Sequence, residues 1–230
     1  MIRCSVCGHE NDDLSVVCVA CKSFLQAKVD TLDLFQTAWI LIVSPRRAFK
    51  RIVISRHKNY GVLLTSLLGI AIAFTVFWFK NLGGHFSSLI ALLGAGLILG
   101  PPVGVVVAAA SSVFLTRIGR LLGGKTSFRG MYAVMAYASI PIVLTLVFVF
   151  PVEVAIFGLY FFGNNPPPLV VNPVVYVTLL GFDALGVLWT WLLVIEGSII
   201  ANGLTRARSI VLTLSLLAIT VGAAVGLRYL

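Results

Sequence analysis

The chain alternates between long apolar stretches and short polar segments. The five apolar stretches cover residues 60–79, 86–115, 131–150, 174–201 and 209–229. Each is about as long as a helix must be to cross roughly 30 Å of hydrocarbon. The pattern predicts an all-α membrane protein with five transmembrane helices in residues 60–230.

The segment before the first span, residues 28–59, is too charged to cross a membrane and too apolar to be fully solvated. Asp30 or Thr31 can cap a first helix, and Ser44 followed by Pro45 suits the start of a second, basic helix. We expect two amphipathic interfacial helices, with apolar sides at the acyl boundary and cations at lipid phosphates. A cytosolic hairpin packed against the helix bundle is the alternative.

The N-terminal segment, residues 1–27, carries the four cysteines of the chain. They form two Cys-x-x-Cys pairs: Cys4, Cys7, Cys18 and Cys21. This spacing brings four thiolates within reach of one tetrahedral ion, and Gly8 eases the turn after the first pair. We predict a small ribbon with a structural Zn²⁺. Because a closed site of four thiolates leaves no open coordination position, we expect it to serve folding and binding.

Two disulfides or four ordinary buried thiols are the alternatives for these cysteines. Disulfides require an oxidising compartment and usually a signal peptide, but Arg3, Asp12 and Asp13 stand where such a peptide has its apolar core. His9 could replace one ligand, although with four thiolates available we expect it to be a polar turn residue.

The composition excludes a soluble domain of 230 residues. Hydrophobic residues make up 59% of the chain and charged residues 11%, which leaves too little polar surface to cover the outside. The net charge is +9. On one side of the predicted spans the cations are Arg46, Arg47, Lys50, Arg51, Arg56, Lys58, Arg117, Arg120, Lys125, Arg129, Arg206 and Arg208; on the other they are Lys80 and Arg228. This asymmetry predicts a cytosolic N-terminus and an outside C-terminus. Anionic lipid accounts for the cations, so no nucleic acid is expected as a partner.

Two predicted spans carry small residues at four-residue spacing, which lines one face of each helix. The glycines of these faces are Gly96, Gly100 and Gly104 in span two, and Gly222 and Gly226 in span five. We expect them to let another helix approach closely. Pro101 and Pro102 in span two and Pro141 in span three predict kinks.

Three acidic residues lie in the apolar half of the chain. Asp183 is about ten residues into span four and therefore near the middle of the bilayer, Glu196 lies near the inner end of that span, and Glu153 is expected at the outer interface. A carboxyl group inside a membrane indicates a functional site, because ionisation there is costly. A protonated Asp183 that hydrogen-bonds a neighbouring backbone, and so holds the bundle together, is the alternative.

Catalytic motifs are not evident in the sequence. The three histidines lie outside the predicted spans, and the chain has no nucleophile elbow, phosphate loop or HExxH motif. We therefore expect the protein not to be an enzyme.

Two short motifs resemble those of the Yip family of multi-pass membrane proteins. Pro45 and Phe49 fit the pattern P-x-x-x-F ahead of the first span, and Tyr137 and Pro141 fit the pattern Y-A-x-x-P in span three. The resemblance covers about residues 31–230. It implies a five-helix Yip domain, which in eukaryotes is associated with Rab-type GTPases and vesicle traffic. A Rab role is not carried over, because nothing in this chain identifies a GTPase-binding surface. The leading ribbon resembles that of prokaryotic members.

Together these features predict a non-enzymatic scaffold or adaptor in the cell membrane of a prokaryote. The ribbon would recruit a cytosolic or membrane protein partner, the membrane domain would organise membrane proteins or lipid, and homo-oligomers are left open. The alternative is a transporter of ions or small solutes that uses Asp183 and the kinked helices. A water-accessible cavity at Asp183 would favour transport, and a tightly filled core with an exposed ribbon surface would favour the adaptor.

Overall fold

The structure is a computed structural model that describes residues 1–25 and 31–229. The predicted cap Asp30 and the predicted ribbon boundary at residue 27 lie outside the described residues. The strands are β1 (Ile2–Arg3) and β2 (Glu10–Asn11). The helices are α1 (Leu34–Val43), α2 (Pro45–Ile54), α3 (Gly61–Phe79), α4 (Leu89–Leu121), α5 (Phe128–Ala138), α6 (Ile140–Phe148), α7 (Phe150–Phe157), α8 (Pro168–Val171), α9 (Pro173–Asn202) and α10 (Arg206–Tyr229), with 3-10 turns at Leu82–His85 and Gly158–Phe162.

Within this part of the chain, five helical segments are long and apolar enough to cross a membrane, as predicted. They are α3, α4, the composite segment Phe128–Phe162, α9, and residues Arg206–Gly226 of α10. The fold is therefore that of an all-α, multi-pass integral membrane protein. The proline-rich connection before α9 contains the single helical turn α8.

Prolines affect spans two and three differently. Helix α4 continues through Pro101 and Pro102 without a break. Close packing of α4 on α3 on both sides of these prolines supports the helix there. Span three is instead divided at Ser139, because Pro141 cannot donate the hydrogen bond that would continue α5 into α6.

The two helices before the first span differ in their surroundings. Asp33, rather than Thr31, caps α1: its Oδ1 accepts a hydrogen bond of 2.7 Å from the backbone N–H of Gln36. Phe35 and Trp39 on this helix are 84% and 68% exposed, so α1 has a free apolar side.

The apolar side of α2 is not at the acyl boundary, which corrects the expectation of two interfacial helices. Phe49 and Ile52 are completely buried, and α2 packs against α5 and α9. The hairpin alternative therefore describes α2 better, because burial in the protein removes these side chains from both water and lipid.

The interior has two apolar clusters. One joins α1 and α2 to α5, α9 and α10 and includes Phe49, Met131 and Tyr137. The other lies at the opposite end of α3 and is rich in phenylalanine; the rings of Phe74 and Phe150 stack there with centroids 4.4 Å apart. Aromatic rings pack there without needing hydrogen-bond partners, which suits the apolar interior of a membrane protein.

Candidate metal centre and membrane carboxyl pair

Two similar turns hold the cysteines. The backbone N–H of Gly8 donates to the carbonyl of Cys4 at 2.9 Å, and that of Lys22 donates to the carbonyl of Cys18 at 3.0 Å. Gly8 and Lys22 both have a left-handed backbone, with φ of +74° and +61°. Gly8 therefore plays the role predicted for it. Lys22 was missed, although it follows its cysteine pair as Gly8 does.

These turns bring all four sulfurs together. Every pair of sulfur atoms in the set lies within 4.8 Å, and the Sγ distance is 3.6 Å both for Cys4 to Cys21 and for Cys7 to Cys18. A tetrahedral Zn²⁺ with Zn–S bonds of about 2.3 Å requires sulfurs about 3.8 Å apart. The four side chains therefore fit a single tetrahedral ion. Such an ion would tie the two turns together.

Polar groups around Cys4 and Cys18 favour the thiolate form of these two side chains. The N–H of Val6 donates to Cys4 Sγ at 3.4 Å, and Nδ2 of the buried Asn11 donates to Cys18 Sγ at 3.5 Å. The Ser23 hydroxyl lies 3.1 Å from Cys4 Sγ, and this hydrogen bond, with the backbone N–H groups of Cys7 and Val6, lowers the pKa of Cys4 to about 6. Such outer contacts fix ligand orientation in metal sites. Sequence reasoning missed Asn11 and Ser23, since only their positions in the folded turns reveal their role.

The ribbon contacts the membrane domain through an ion pair. Asp13 Oδ2 lies 3.2 Å from Lys50 Nζ of α2, and Asp13 Oδ1 lies 3.0 Å from the N-terminal amino group. The amino group and Lys50 lower the pKa of this carboxyl. The Asp13–Lys50 ion pair helps to orient the ribbon against α2. Because both side chains are about half exposed, the pair stabilises this arrangement by less than about 1 kcal/mol.

Helices α3 and α4 approach with almost no side chains between them. A Cβ added to Gly100 would lie 2.5 Å from the Cα of Ile70, and one added to Gly104 would overlap the carbonyl of Thr65. A Cβ on Gly96 would enter the ring of Phe74. The predicted small-residue face of span two therefore packs on α3.

The glycines predicted to pack in span five, unlike those of span two, do not lie against another helix of the described chain. A Cβ added to Gly222 or Gly226 would meet no atom within 4 Å among the described residues. Helix α10 packs on α4 and α9, where Leu212 and Leu216 are buried nearer its start. The expected close packing at Gly222 and Gly226 is thus not made within the described chain.

The carboxyl groups of Glu153 and Asp183 meet inside the membrane domain. The two side chains lie within hydrogen-bonding reach of each other, and Asp183 also reaches Thr145. Glu153 is only 2% exposed, so it does not reach the outer interface as expected. Span three is divided again at Val149, and Glu153 lies buried in α7, directly after this break. Asp183 therefore has a carboxyl neighbour that sequence reasoning did not find.

Glu196 belongs to a different site, near the end of the bundle that carries α2. Its two carboxylate oxygens lie 3.0 Å from Arg46 Nε and 3.7 Å from Arg206 Nη2. It thus links α9 to the beginnings of α2 and α10. The structure does not bring Glu196 to Asp183.

A cavity of about 490 Å³ opens beside the carboxyl pair. Glu153 and Asp183 form part of its wall, and most of the remaining wall is apolar. The aromatic side chains that line it are Phe74, Trp78, Phe150, Phe161 and Trp191. The cavity therefore combines acidic oxygens with aromatic faces.

Comparison with protein-family models matches residues 39–227 to the Yip1 domain. This chain belongs to the Yip1 domain family. The match covers the second half of α1, all of α2 and the five spans, and leaves the cysteine ribbon outside it. Searches of curated proteins and of solved structures found no match.

The two motifs that resemble the Yip family meet in the core of this Yip1 domain. A Cβ on Gly197 of α9 would lie 3.1 Å from the ring of Phe49, so this ring sits directly on the α9 backbone. The buried Tyr137 donates a hydrogen bond of 2.6 Å to the carbonyl of Asn59. The motif side chains therefore fix α2 and the start of α3 against spans three and four.

Proposed function

We propose that this Yip1-domain protein is a non-enzymatic membrane adaptor. Its ribbon, held together by one structural Zn²⁺, recruits a protein partner in the cytosol, and its membrane domain organises neighbouring membrane proteins or lipid. The convergence of four cysteine sulfurs supports this best, because such a closed site has no open position for substrate. The excess of cations on one side of the spans supports a cytosolic ribbon and an outside C-terminus. We propose the cell membrane of a prokaryote as the location of the protein.

The ribbon surface supports recruitment. Val6, Val19 and Phe24 are large apolar side chains that remain exposed around the cysteines. On a unit this small, exposed apolar residues suit contact with another protein. The ion pair between Asp13 and Lys50 leaves these side chains free.

Affinity purification from membranes tests the adaptor directly. Full-length protein is compared with a Phe24→Asp variant and with a matched control, Leu121→Asp, which changes another exposed apolar side chain at the end of α4. We expect a defined set of proteins to be recovered with wild type and the control but lost with Phe24→Asp. Recovery of the same proteins with all three forms would contradict recruitment by the ribbon.

Transport of an ion or small solute is the second candidate function. The cavity at Asp183 favours it, since an adaptor needs no such space. In sealed vesicles, Asp183→Asn would abolish cation-coupled flux in a transporter and leave an adaptor unchanged, because the amide keeps a donor and an acceptor. Flux lost in this variant, with normal expression and melting temperature, would establish transport over the adaptor.

A further inference from the structure

A polar pocket of about 460 Å³ lies where α2, α9 and α10 meet. Three arginines, Arg46, Arg47 and Arg206, line it together with a single acid, Glu196. Because Glu196 balances only one of the three arginines, the pocket has an excess of positive charge. It is therefore suited to an anion.

The arginines are held in place but keep free donors. Glu196 accepts a hydrogen bond of 3.0 Å from Nε of Arg46 and lies 3.7 Å from Nη2 of Arg206. Within the described part of the chain, no hydrogen bond or ion pair engages the terminal nitrogens of Arg46 or the guanidinium of Arg47. Such guanidinium forks match the oxygens of a phosphate. The first turn of α2 adds partial positive charge, since the side chain of Ser44 caps none of its N–H groups.

An apolar groove of about 580 Å³ adjoins this pocket and runs between the end of α1, α6 and α9. Ile42 of the groove stands two residues before Ser44 of the pocket, and Leu192 of the groove lies about one helical turn before Glu196. Leu192 and Phe182 are both more than half exposed, so the groove is open at the surface of the bundle. From Leu192 back to Phe182, α9 rises about 15 Å, which is the hydrocarbon depth of one leaflet.

We propose that the pocket and the groove together bind one anionic phospholipid. Its phosphate lies among Arg46, Arg47 and Arg206, and an acyl chain follows the groove toward Phe182. This inference deepens the proposed function by naming the class of lipid that the membrane domain organises. It rests on that function in placing this end of the bundle at the cytosolic leaflet.

The continuity of the two surfaces favours a lipid over a soluble phosphate. A soluble phosphate would use the pocket alone, whereas a phospholipid also covers the apolar side chains that adjoin it. The excess positive charge favours an anionic headgroup, because a zwitterionic headgroup brings a cation of its own that the arginines repel. Lipid tails touch any outward face of a membrane protein, so the basic pocket is the part that selects the lipid.

Native mass spectrometry of full-length protein in detergent tests the proposal. The probe is dioleoyl phosphatidylglycerol, and dioleoyl phosphatidylcholine carries the same chains on a zwitterionic headgroup. We expect one molecule of phosphatidylglycerol to bind at least about fivefold more tightly than phosphatidylcholine, the effect of about one arginine at a membrane surface. Equal binding of the two lipids would overturn the proposal.

Glycerol 3-phosphate, which has the phosphate without the chains, distinguishes a lipid from a soluble ligand. It should bind far more weakly than phosphatidylglycerol, because it leaves the groove uncovered. If glycerol 3-phosphate binds as tightly as phosphatidylglycerol, the occupant is a soluble phosphate and the proposal is wrong.

Arginine variants locate the headgroup. Arg47→Gln removes a side chain without a partner in the described chain, so it should fold normally and weaken phosphatidylglycerol binding about fivefold. Adding Arg46→Gln should weaken it further. The double variant of Arg56→Gln and Arg117→Gln, which removes two exposed cations outside the pocket, is the matched control and should bind as wild type. Equal affinity of the two double variants would contradict the proposal.

A variant of the groove locates the acyl chain. Leu192→Trp fills the groove beside the pocket and should weaken phosphatidylglycerol binding, whereas Leu97→Trp changes a similarly exposed leucine of α4 outside the groove. Equal binding by these two variants would contradict the placement of the chain. Recovery of proteins by the ribbon is a separate measurement, so its failure would refute recruitment and leave the lipid result intact.

Discussion

Single residues decide how well the ribbon holds its cysteines. Gly8 and Lys22 occupy the same position in two equivalent turns, yet only one is a glycine. A left-handed backbone costs a residue with a side chain about 1–2 kcal/mol more than glycine. The turn at Lys22 is therefore more strained than the turn at Gly8, although each turn carries two of the four cysteines.

Substitution at Gly8 should therefore weaken the metal site. A Cβ there would only touch the Arg3 side chain at 3.9 Å, so Gly8→Ala tests the backbone cost rather than a clash. We expect a loss of about 1–2 kcal/mol in zinc binding, measured by competition with a chelator. Lys22→Gly removes the same strain and should retain zinc at least as well as wild type. If Gly8→Ala holds zinc as tightly as wild type, the left-handed turn does not limit the site.

Lys58 predicts a pH dependence of stability. Its Nζ donates to the last carbonyls of α2, at 2.7 Å to Ile52 and 3.1 Å to Val53, and burial, assisted by Arg129, lowers the pKa of Lys58 to about 8. The unfolded chain keeps the ordinary pKa of about 10.4 and so binds more protons between these two values. Stability from this group therefore rises with pH between about 8 and about 10.4.

The measurement compares wild type with Lys58→Met, which keeps the apolar stem but does not titrate. The melting temperature of wild type relative to this variant should rise from pH 8 to pH 10. A difference that stays constant or falls over this interval would show that the folded state does not disfavour the ammonium.

At the scale of elements, local sequence patterns predicted where the helices lie better than which elements pack against each other. The glycines of α4 were recognised from their spacing, but the matching small residues of α3, at Gly61, Thr65, Gly69 and Ala73, were overlooked. The burial of α2 was not predictable, because its apolar side has the same pattern whether it faces lipid or protein. Glu153 was misplaced for a similar reason: its burial depends on the division of span three, which no local pattern gives in full.

The α3–α4 contact predicts a contrast within one helix. Gly100→Leu forces a side chain into the backbone of Ile70, whereas Gly94→Leu on the same helix meets nothing within 4 Å among the described residues. Overpacking of this kind costs about 1–3 kcal/mol or more, so Gly100→Leu should lower thermal stability in detergent and Gly94→Leu should not. Equal melting temperatures for the two variants would mean that the glycine face is not an interface.

At the scale of the whole molecule, the number of spans and the family were predictable because hydrophobic length and motif order are properties of the sequence itself. The match over residues 39–227 and the five helical segments confirm both. The cavity was not predictable, since its walls come from four separate segments of the chain. Asp183 alone suggested a site in the sequence. Its neighbour Glu153 and the volume of the cavity became apparent only in the folded structure.

Five spans place the two termini on opposite sides of the membrane, and the proposed cytosolic ribbon puts the C-terminus outside. A reporter fused after Leu230 that is active only outside the cytosol should therefore be active, and one fused before Met1 should be inactive. Activity of a cytosol-specific reporter at the C-terminus would contradict this topology.

The central claim is that four cysteines build a closed metal site on a Yip1 membrane domain. Elemental analysis of full-length protein, purified from membranes without chelator, tests it most directly. The sulfur geometry predicts one zinc per chain, and replacement of Cys7 and Cys18 by serine should remove it while the helical content of the membrane domain is retained. Purified protein without stoichiometric zinc would contradict the account.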